Sequence, residues 1–395
     1  MADKKLFLLT TTLIVISMIM SYSLTTYTVL FYDVNQFHFA IRQFIYGVAS
    51  IILMWSLAQL NPDIWLPRLG FTLLIVSMIL MIIMPFLPSS LVFAVGGAKR
   101  WIKLGPISLA PVEFFKLGFV YFLAWSFSRK LGYHGNIGLK KEFMRFLPYG
   151  VVFVIIMFII AFVQNDLGQV IVLGVTLLVM LMLAGSSFKF FSTLFLGTLG
   201  FFVFFILTSA HRIARVMSWW SGAQNFILAF FPSSIASHLR VATVAQPYQI
   251  GNSLDAIHHG GIFGAGLGNG SFKLGFLSQV QTDFVLAGIA EELGFVGVAI
   301  IVFIFVLLVQ RIFKIANRSV STVNYLFSIG VGMMLVMAFL INAYGISGLT
   351  PIKGISVPFM SYGGSSMIAE SMAIAMVLMA SKRANMGMKK DKKSK

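Results

Sequence analysis

The chain has no cysteine, and only 12 Asp and Glu stand against 29 Lys and Arg in 395 residues. The first lack removes disulfides, thiol nucleophiles and cysteine metal sites together. The second makes every carboxylate informative. Charged residues of both signs amount to 10% of the chain, 58% is hydrophobic, and mean hydropathy is +0.93. So little charge cannot surface a soluble domain, and the composition is that of an all-α polytopic membrane protein.

A helix needs about 20 apolar residues to cross a hydrocarbon core of roughly 30 Å. Ten such stretches are expected, near 6–30, 40–60, 68–88, 111–128, 147–163, 167–184, 188–208, 284–309, 324–346 and 363–381. The whole of 1–395 then forms one transmembrane domain, with a large extracytoplasmic loop at about 209–282 and a basic tail at about 382–395. Cytoplasmic loops retain Lys and Arg. With ten spans, most basic residues fall on the side of the termini, from Lys4 and Lys5 through Lys140, Lys141 and Arg145 to the tail, so both termini are expected in the cytoplasm. The first apolar run lacks a small-residue cleavage site and reads as a signal anchor.

A net charge of +17 raises the question of nucleic acid. The basic residues are scattered along loops and gathered in the tail "KKDKKSK", which suits a topology signal that also touches anionic lipid, with no nucleic acid as partner.

Two loops exceed a turn, about Ser89 to Ala110 and about Ser209 to Thr282, and long loops in compact proteins are usually functional. Both carry Trp, Phe, Ile and Leu among basic residues and should pack or lie at the interface. Within the second, "SWWSGAQNFILAFFPSSIASHL" is broken by Pro232 and reads as an interfacial helix or a re-entrant piece, the first ahead of a further span. A further span there would put the Lys-rich tail outside. The run "HHGGIFGAGLGNG" has no strand-turn-helix around it, so it is not a nucleotide loop. Gly261, Gly264, Gly266 and Gly268 instead let the backbone turn tightly and approach a surface, either a lipid diphosphate or another helix. His258 and His259 lack a third nearby ligand, so no metal site is marked.

Glu113, Asp166, Asp283, Glu291, Glu292 and Glu370 sit at or within apolar segments, where an Asp costs about 2.5 to 3.5 kcal/mol on insertion scales. Asp283 stands where the chain enters a span. It either acts chemically there or, with Thr282, caps the helix. Glu291 and Glu292 lie roughly 12 Å further along at about 1.5 Å per residue and suit a structural role, accepting hydrogen bonds or pairing with intramembrane cations such as Lys116 or Arg42. Glu113 and Lys116, three apart, can pair on one helical face within the same network. Asp166, in "VQNDLGQ", could cap the sixth span or bind a cation.

The segments "GAKRWIKLGPISLAPVEFFKL", "QNDLGQ", "YQIGNSLDAIHHGGIFGAGLGNG", "QTDFVLAGIAEELGF" and "GLTPIKGISVPFMSYGGSS" follow in the order expected of the SEDS family, the shape, elongation, division and sporulation proteins of bacteria. The chain resembles that family from first span to last, and Lys353 in "TPIKG" resembles its cell-division branch. The resemblance implies a glycosyltransferase that polymerises lipid II into peptidoglycan strands at the outer face of the bacterial cytoplasmic membrane. It also implies a class B penicillin-binding protein and other division proteins as partners. It places the essential acid on Asp283. Four departures stand out: Gln281 where His is frequent, "LSQV" for a Pro-Glu pair, Val112 for Ser, and Asn165 for Pro. Trp101 is retained.

Joining a sugar hydroxyl to an anomeric carbon that bears a polyprenyl diphosphate needs a base and positive charge on the leaving group. Asp283 is the candidate base. Lys99, Arg100, Arg212, Arg215 and Lys273 are the candidate cations, with Trp101 beside them as a substrate contact. Displacing an α-linked diphosphate to give a β-linked chain is an inversion that one carboxylate can serve. No cofactor is marked, although a divalent cation could assist the leaving group. A lipid II flippase is the rival reading, with the intramembrane acids as a coupling network. A division scaffold is the third.

Overall fold

In the computed structural model the described residues are 2–25, 29, 35, 37–95, 98–105, 107–130, 138–208, 210–242, 248–277, 279–351 and 354–393. Lys353 lies outside them. Thirteen α-helices are described: α1 Lys4–Leu24, α2 His38–Gln59, α3 Pro62–Ile83, α4 Pro111–Lys130, α5 Leu139–Phe158, α6 Leu167–Leu183, α7 Phe188–Leu207, α8 Ala210–Leu228, α9 Ser233–Leu239, α10 Tyr248–Gly260, α11 Val285–Asn317, α12 Thr322–Ile346 and α13 Gly364–Lys393. Each of the ten expected stretches coincides with one of these helices. Among the described residues, seven helices are long and apolar enough to cross a membrane, namely α1, α2, α3, α5 with its extension to Val163, α11, α12 and α13. Helices α6 and α7 are apolar but shorter. Helix α4 carries Glu113, Lys116, Arg129 and Lys130. The protein is a multi-pass membrane protein.

Local signals start several of these helices. Asn61 accepts from Asp63 N at 3.1 Å, with Pro62 following it, at the head of α3. Asp166 accepts from Gln169 N at 3.2 Å at the head of α6, and Ser187 from Phe190 N at 3.2 Å at the head of α7. Such caps satisfy amides that have no partner within the helix. Helices α12 and α13 form the centre, with 67% and 72% of their apolar windows buried, against 22% for α2 and α3. The latter two present Ile41, Phe44, Ile52, Trp55, Ile75 and Ile79 outward, as lipid-facing helices do.

The loop at Ser89–Ala110 holds a small sheet. Strands β1 Val92–Val95, β2 Ala98–Leu104 and β3 Ile107–Leu109 pair antiparallel in that order, with Phe93 opposite Trp101 and Lys103 opposite Ser108. Met84, Val92 and Ile102 make a separate apolar cluster beneath it. The expected interfacial segment forms α8 and α9, parted at Pro232, and neither is among the seven apolar spans.

Helix α11 is broken near its start. Gly294 takes φ 67° and ψ −170°, a conformation closed to a residue with a Cβ. The carbonyls freed at Glu291 and Glu292 accept from Ala265 N at 2.9 Å and Gly266 N at 3.0 Å. Beyond the break, Phe295 N and Val296 N donate to Gly261 O and Ile262 O at 2.9 and 3.1 Å. The glycine loop is therefore stitched into a helix, the helix alternative of the two posed by its sequence. A Cβ on Gly264, itself at φ +84°, would lie 2.2 Å from Glu292 O. Gly264→Ala is expected to destabilise the protein by about 2 to 3 kcal/mol, read as a fall in the thermal midpoint in detergent. An unchanged midpoint would mean the loop does not hold the break closed.

At the opposite end of the bundle the two ends of the chain meet. Asp3 N donates to Ser381 Oγ at 3.1 Å, and the Asp3 carboxylate takes two hydrogen bonds from Arg311, Nε at 2.9 Å and Nη2 at 2.6 Å. Nearby, Arg383 pairs with Asp63 and Lys382 reaches Leu60 O.

Candidate active site

The segments after α3, α5, α10 and α12 meet at one end of the bundle. Arg100 on β2 donates from Nε to Gln164 O at 2.8 Å and from Nη2 to Asn165 O at 2.7 Å, and Nη1 stands 3.6 Å from Asp166. It thereby closes the end of α5, whose last turn, Ile159–Val163, is a π-helix. The other end of the cluster is Asp283.

Asp283 is half-buried and lies two residues before α11. Phe284 takes the cap position, with no side-chain hydrogen bond, so the capping alternative for Thr282 or Asp283 is not what the structure adopts. No hydrogen bond from a described residue reaches the Asp283 carboxyl. Burial, followed by the negative charge of Asp166, pushes its pKa up to about 6, while Arg100 pulls the other way. Burial raises Asp166 as well, with Arg100 opposing. Gly354, at φ +59°, passes so close that a Cβ there would lie 3.0 Å from Asp283 Oδ2. Several buried amide atoms in this region lack a partner among the described residues: both of Gln164, and Oε1 of Gln281, the residue that stands where the family often has His.

The remaining candidates divide between this cluster and other places. Trp101 is half-buried on β2, next to Arg100. Lys99 Nζ donates to Pro85 O at 2.8 Å and Leu87 O at 3.3 Å, closing the end of the α3 segment. On α8, Arg212 stands over the Phe162 ring at 5.8 Å and Arg215 is exposed. Lys273, the last of the candidate cations, is engaged within the protein. It is buried, 2.6 Å from Glu292, and also donates to Ser23 Oγ and Gly268 O.

That pair corrects a further expectation. Glu292 pairs with Lys273 and not with Lys116 or Arg42, because the loop after α10 folds back over the start of α11 and brings Lys273 with it. Glu291 accepts from the backbone amides of Ser271 and Phe272 and meets His259 Nδ1 at 3.2 Å. Glu113 pairs with Lys116 at 2.8 Å and accepts from Gln169 Nε2 at 3.0 Å. Both line a buried cavity with Glu370, Met334, Leu335, Ala338 and Ala369. Among the described residues, no three His, Asp or Glu gather to hold a metal ion.

Asn342 and Ser361 were not singled out in the sequence, yet both bond the backbone around Asp283. The available signals were a lone amide in the apolar run "MAFLINAYG" and the hydroxyl of "PFMSYGG".

A helical membrane bundle that carries an ionisable carboxyl, an arginine and a second acid where its longest loops meet defines a polytopic membrane protein with a polar site at one end. The chain belongs to the cell cycle protein family of FtsW, RodA and SpoVE, whose family description matches residues 4–386. It is 46% identical over 377 residues to a Helicobacter pylori protein named probable peptidoglycan glycosyltransferase FtsW, covering 95% of this chain and 97% of that one. Stage V sporulation protein E of Bacillus subtilis is 32% identical over 383 residues, covering 96% and 97%. The fold is similar to a chain solved in a peptidoglycan synthase complex, with a TM-score of 0.71 at 20% identity over 97% of this chain and 98% of that one.

Proposed function

We propose that the protein is a peptidoglycan glycosyltransferase that polymerises lipid II into glycan strands at the outer face of the cytoplasmic membrane during cell division. The observation that carries this reading is the Asp283 carboxyl. It is half-buried, uncapped and raised in pKa beside Arg100, in a chain 46% identical to a protein named for this activity. Burial with no compensating hydrogen bond makes a carboxylate a stronger base.

In this reading Asp283 takes the proton of the sugar 4-hydroxyl as the oxygen bonds to the anomeric carbon, and the bond to the diphosphate breaks with inversion. Arg100 already serves two carbonyls and Asp166, so it acts on the site through its field. Lys273 is neutralised in its pair and Lys99 is tied to Pro85 and Leu87. Arg215, exposed on α8, is the cation we assign to the leaving diphosphate. The buried glutamine amides of Gln164 and Gln281 would find partners in buried water.

The ten spans act as one transmembrane unit with both termini cytoplasmic, which puts Asp283 outside. A class B penicillin-binding protein and other division proteins are the partners, at the septum. The flippase reading draws on the Glu113, Lys116 and Glu370 cavity. Purified protein with its cognate penicillin-binding protein, given lipid II, should yield glycan polymer. Movement of lipid II across vesicles with no polymer would favour the flippase.

The activity should also report its base. A carboxyl of pKa about 6 accepts a proton only above that pH. The rate at low lipid II concentration is therefore expected to be flat above about pH 7 and to fall roughly tenfold per unit well below pH 6. A profile flat down to pH 4.5 would remove Asp283 as the base.

A further inference from the structure

Gln281, Thr282 and Asp283, just before α11, each have their backbone carbonyl bonded by a residue of α12 or of the segment before α13. Tyr362 N donates to Gln281 O at 2.8 Å, Ser361 Oγ to Thr282 O at 2.7 Å, and Asn342 Nδ2 to Asp283 O at 2.7 Å. The same Asn342 nitrogen donates to Ile355 O, also at 2.7 Å. Two carbonyls can only accept, which fixes which end of the amide faces them. Asn342 is 5% exposed, and its own Oδ1 has no partner among the described residues. A buried amide with one end unsatisfied is costly and calls for an explanation, and here its other end holds two backbone carbonyls.

Ser361 is set with equal care. Its oxygen accepts from Val357 N at 2.8 Å while its hydrogen goes to Thr282 O, so donor and acceptor are both assigned. The turn that carries it includes Phe359 at φ +61°, and Phe359 N donates to the buried Glu370 at 2.8 Å. The segment 355–362 is thus pinned to α13 on one side and to the entry of α11 on the other.

This arrangement acts on a choice the backbone would otherwise have. An Asp just before a helix can rotate so that its carboxylate accepts the helix's first free amides. Here the carbonyls of Thr282 and Asp283 are held by Ser361 and Asn342, Phe284 takes the cap position, and the Asp283 carboxyl is left uncapped. We propose that Asn342, seconded by Ser361, is a positioning residue that keeps the Asp283 carboxyl out of the α11 cap and turned to the cluster of Arg100 and Asp166. The proposal rests on Asp283 as the base of the function proposed above.

Among the described residues, the ionisable groups that act on Asp283 are Asp166 at the head of α6 and Arg100 on β2. Helix α12 brings Asn342, and Glu291 and Glu292 on α11 are engaged with His259 and Lys273. Removing the tie should let the carboxylate take helix amides, which favour its charged form and lower its pKa.

The test uses the full chain in nanodiscs with its penicillin-binding protein. Polymerisation of lipid II is followed across pH, and 13C-labelled aspartate reports the Asp283 carboxyl, assigned by the resonance lost in Asp283→Asn. Asn342→Leu is expected to lower kcat about tenfold or more with KM changed less than about twofold. The carboxyl midpoint and the acid limb of the rate should both move to lower pH. Ser361→Ala should move both in the same direction and Ser361→Thr should restore them, which carries the test if Asn342→Leu does not fold. Simple loss of folded protein would reduce the rate at every pH without moving either midpoint. A wild-type midpoint and kcat in Asn342→Leu and Ser361→Ala would overturn the proposal. If the wild type made no polymer, or Asp283→Asn polymerised as well as wild type, the proposed function or its base would fall, and the carboxyl midpoint would still decide the positioning role.

Discussion

Asp283→Asn is expected to reduce glycan polymerisation by at least about 10²-fold, the range that loss of a general base produces. The substitution keeps the shape of the side chain. The carboxyl accepts no hydrogen bond from a described residue, so among the described residues no helix cap or ion pair is lost with it. Folding should therefore survive. The sign of the stability change is itself a check. Burial raises the pKa of this carboxyl above its unfolded value, so ionised Asp283 weighs against the fold, and the stability conferred by its protonated form is lost as pH rises through about 6. At pH 8 the neutral amide should leave the thermal midpoint unchanged or raise it. Polymer from the variant at the wild-type rate would discard Asp283 as the base. A fall in midpoint together with activity would mean the residue supports the fold instead.

The second large effect is expected at the Lys273–Glu292 pair, whose side chains are 2% and 0% exposed. Lys273→Met leaves the Glu292 carboxylate buried with Ser23 as its remaining described partner, and breaking a buried pair from one side typically costs about 3 to 5 kcal/mol. Lys273→Met combined with Glu292→Gln removes the orphaned charge and should recover most of that loss. Denaturation in detergent of the two single variants and the double variant would give the coupling. Additive losses would show that the two side chains do not act as a pair.

The helices were legible because length and apolarity are all that a bilayer demands of a span, and α2, α3, α11, α12 and α13 each exceed that demand. The sheet was not. Its strands run three to seven residues, and "AKRWIKL" reads as a basic loop until the register with Phe93 and Ser108 is seen. Asp283 stood out because an acid at the edge of an apolar run is rare. Its surroundings did not, since Arg100, Asp166 and Asn342 come from three distant parts of the chain. Lys273 was not among the cations expected for Glu292, for a related reason. Lys116 and Arg42 were considered because they lie within spans, whereas Lys273 is carried inward by a loop that fills the gap in α11, and nothing in hydropathy marks a loop as buried.

The break at Gly294 gives α11 two mechanical owners. Below it, the helix is bonded to itself and follows the bundle. Above it, Val285–Leu293 is tied by its last carbonyls to residues 265 and 266 and by its side chains to Lys273 and Ser271. A displacement of α10 would therefore be felt at Asp283, while a tilt of the long span beneath would be absorbed at a single glycine.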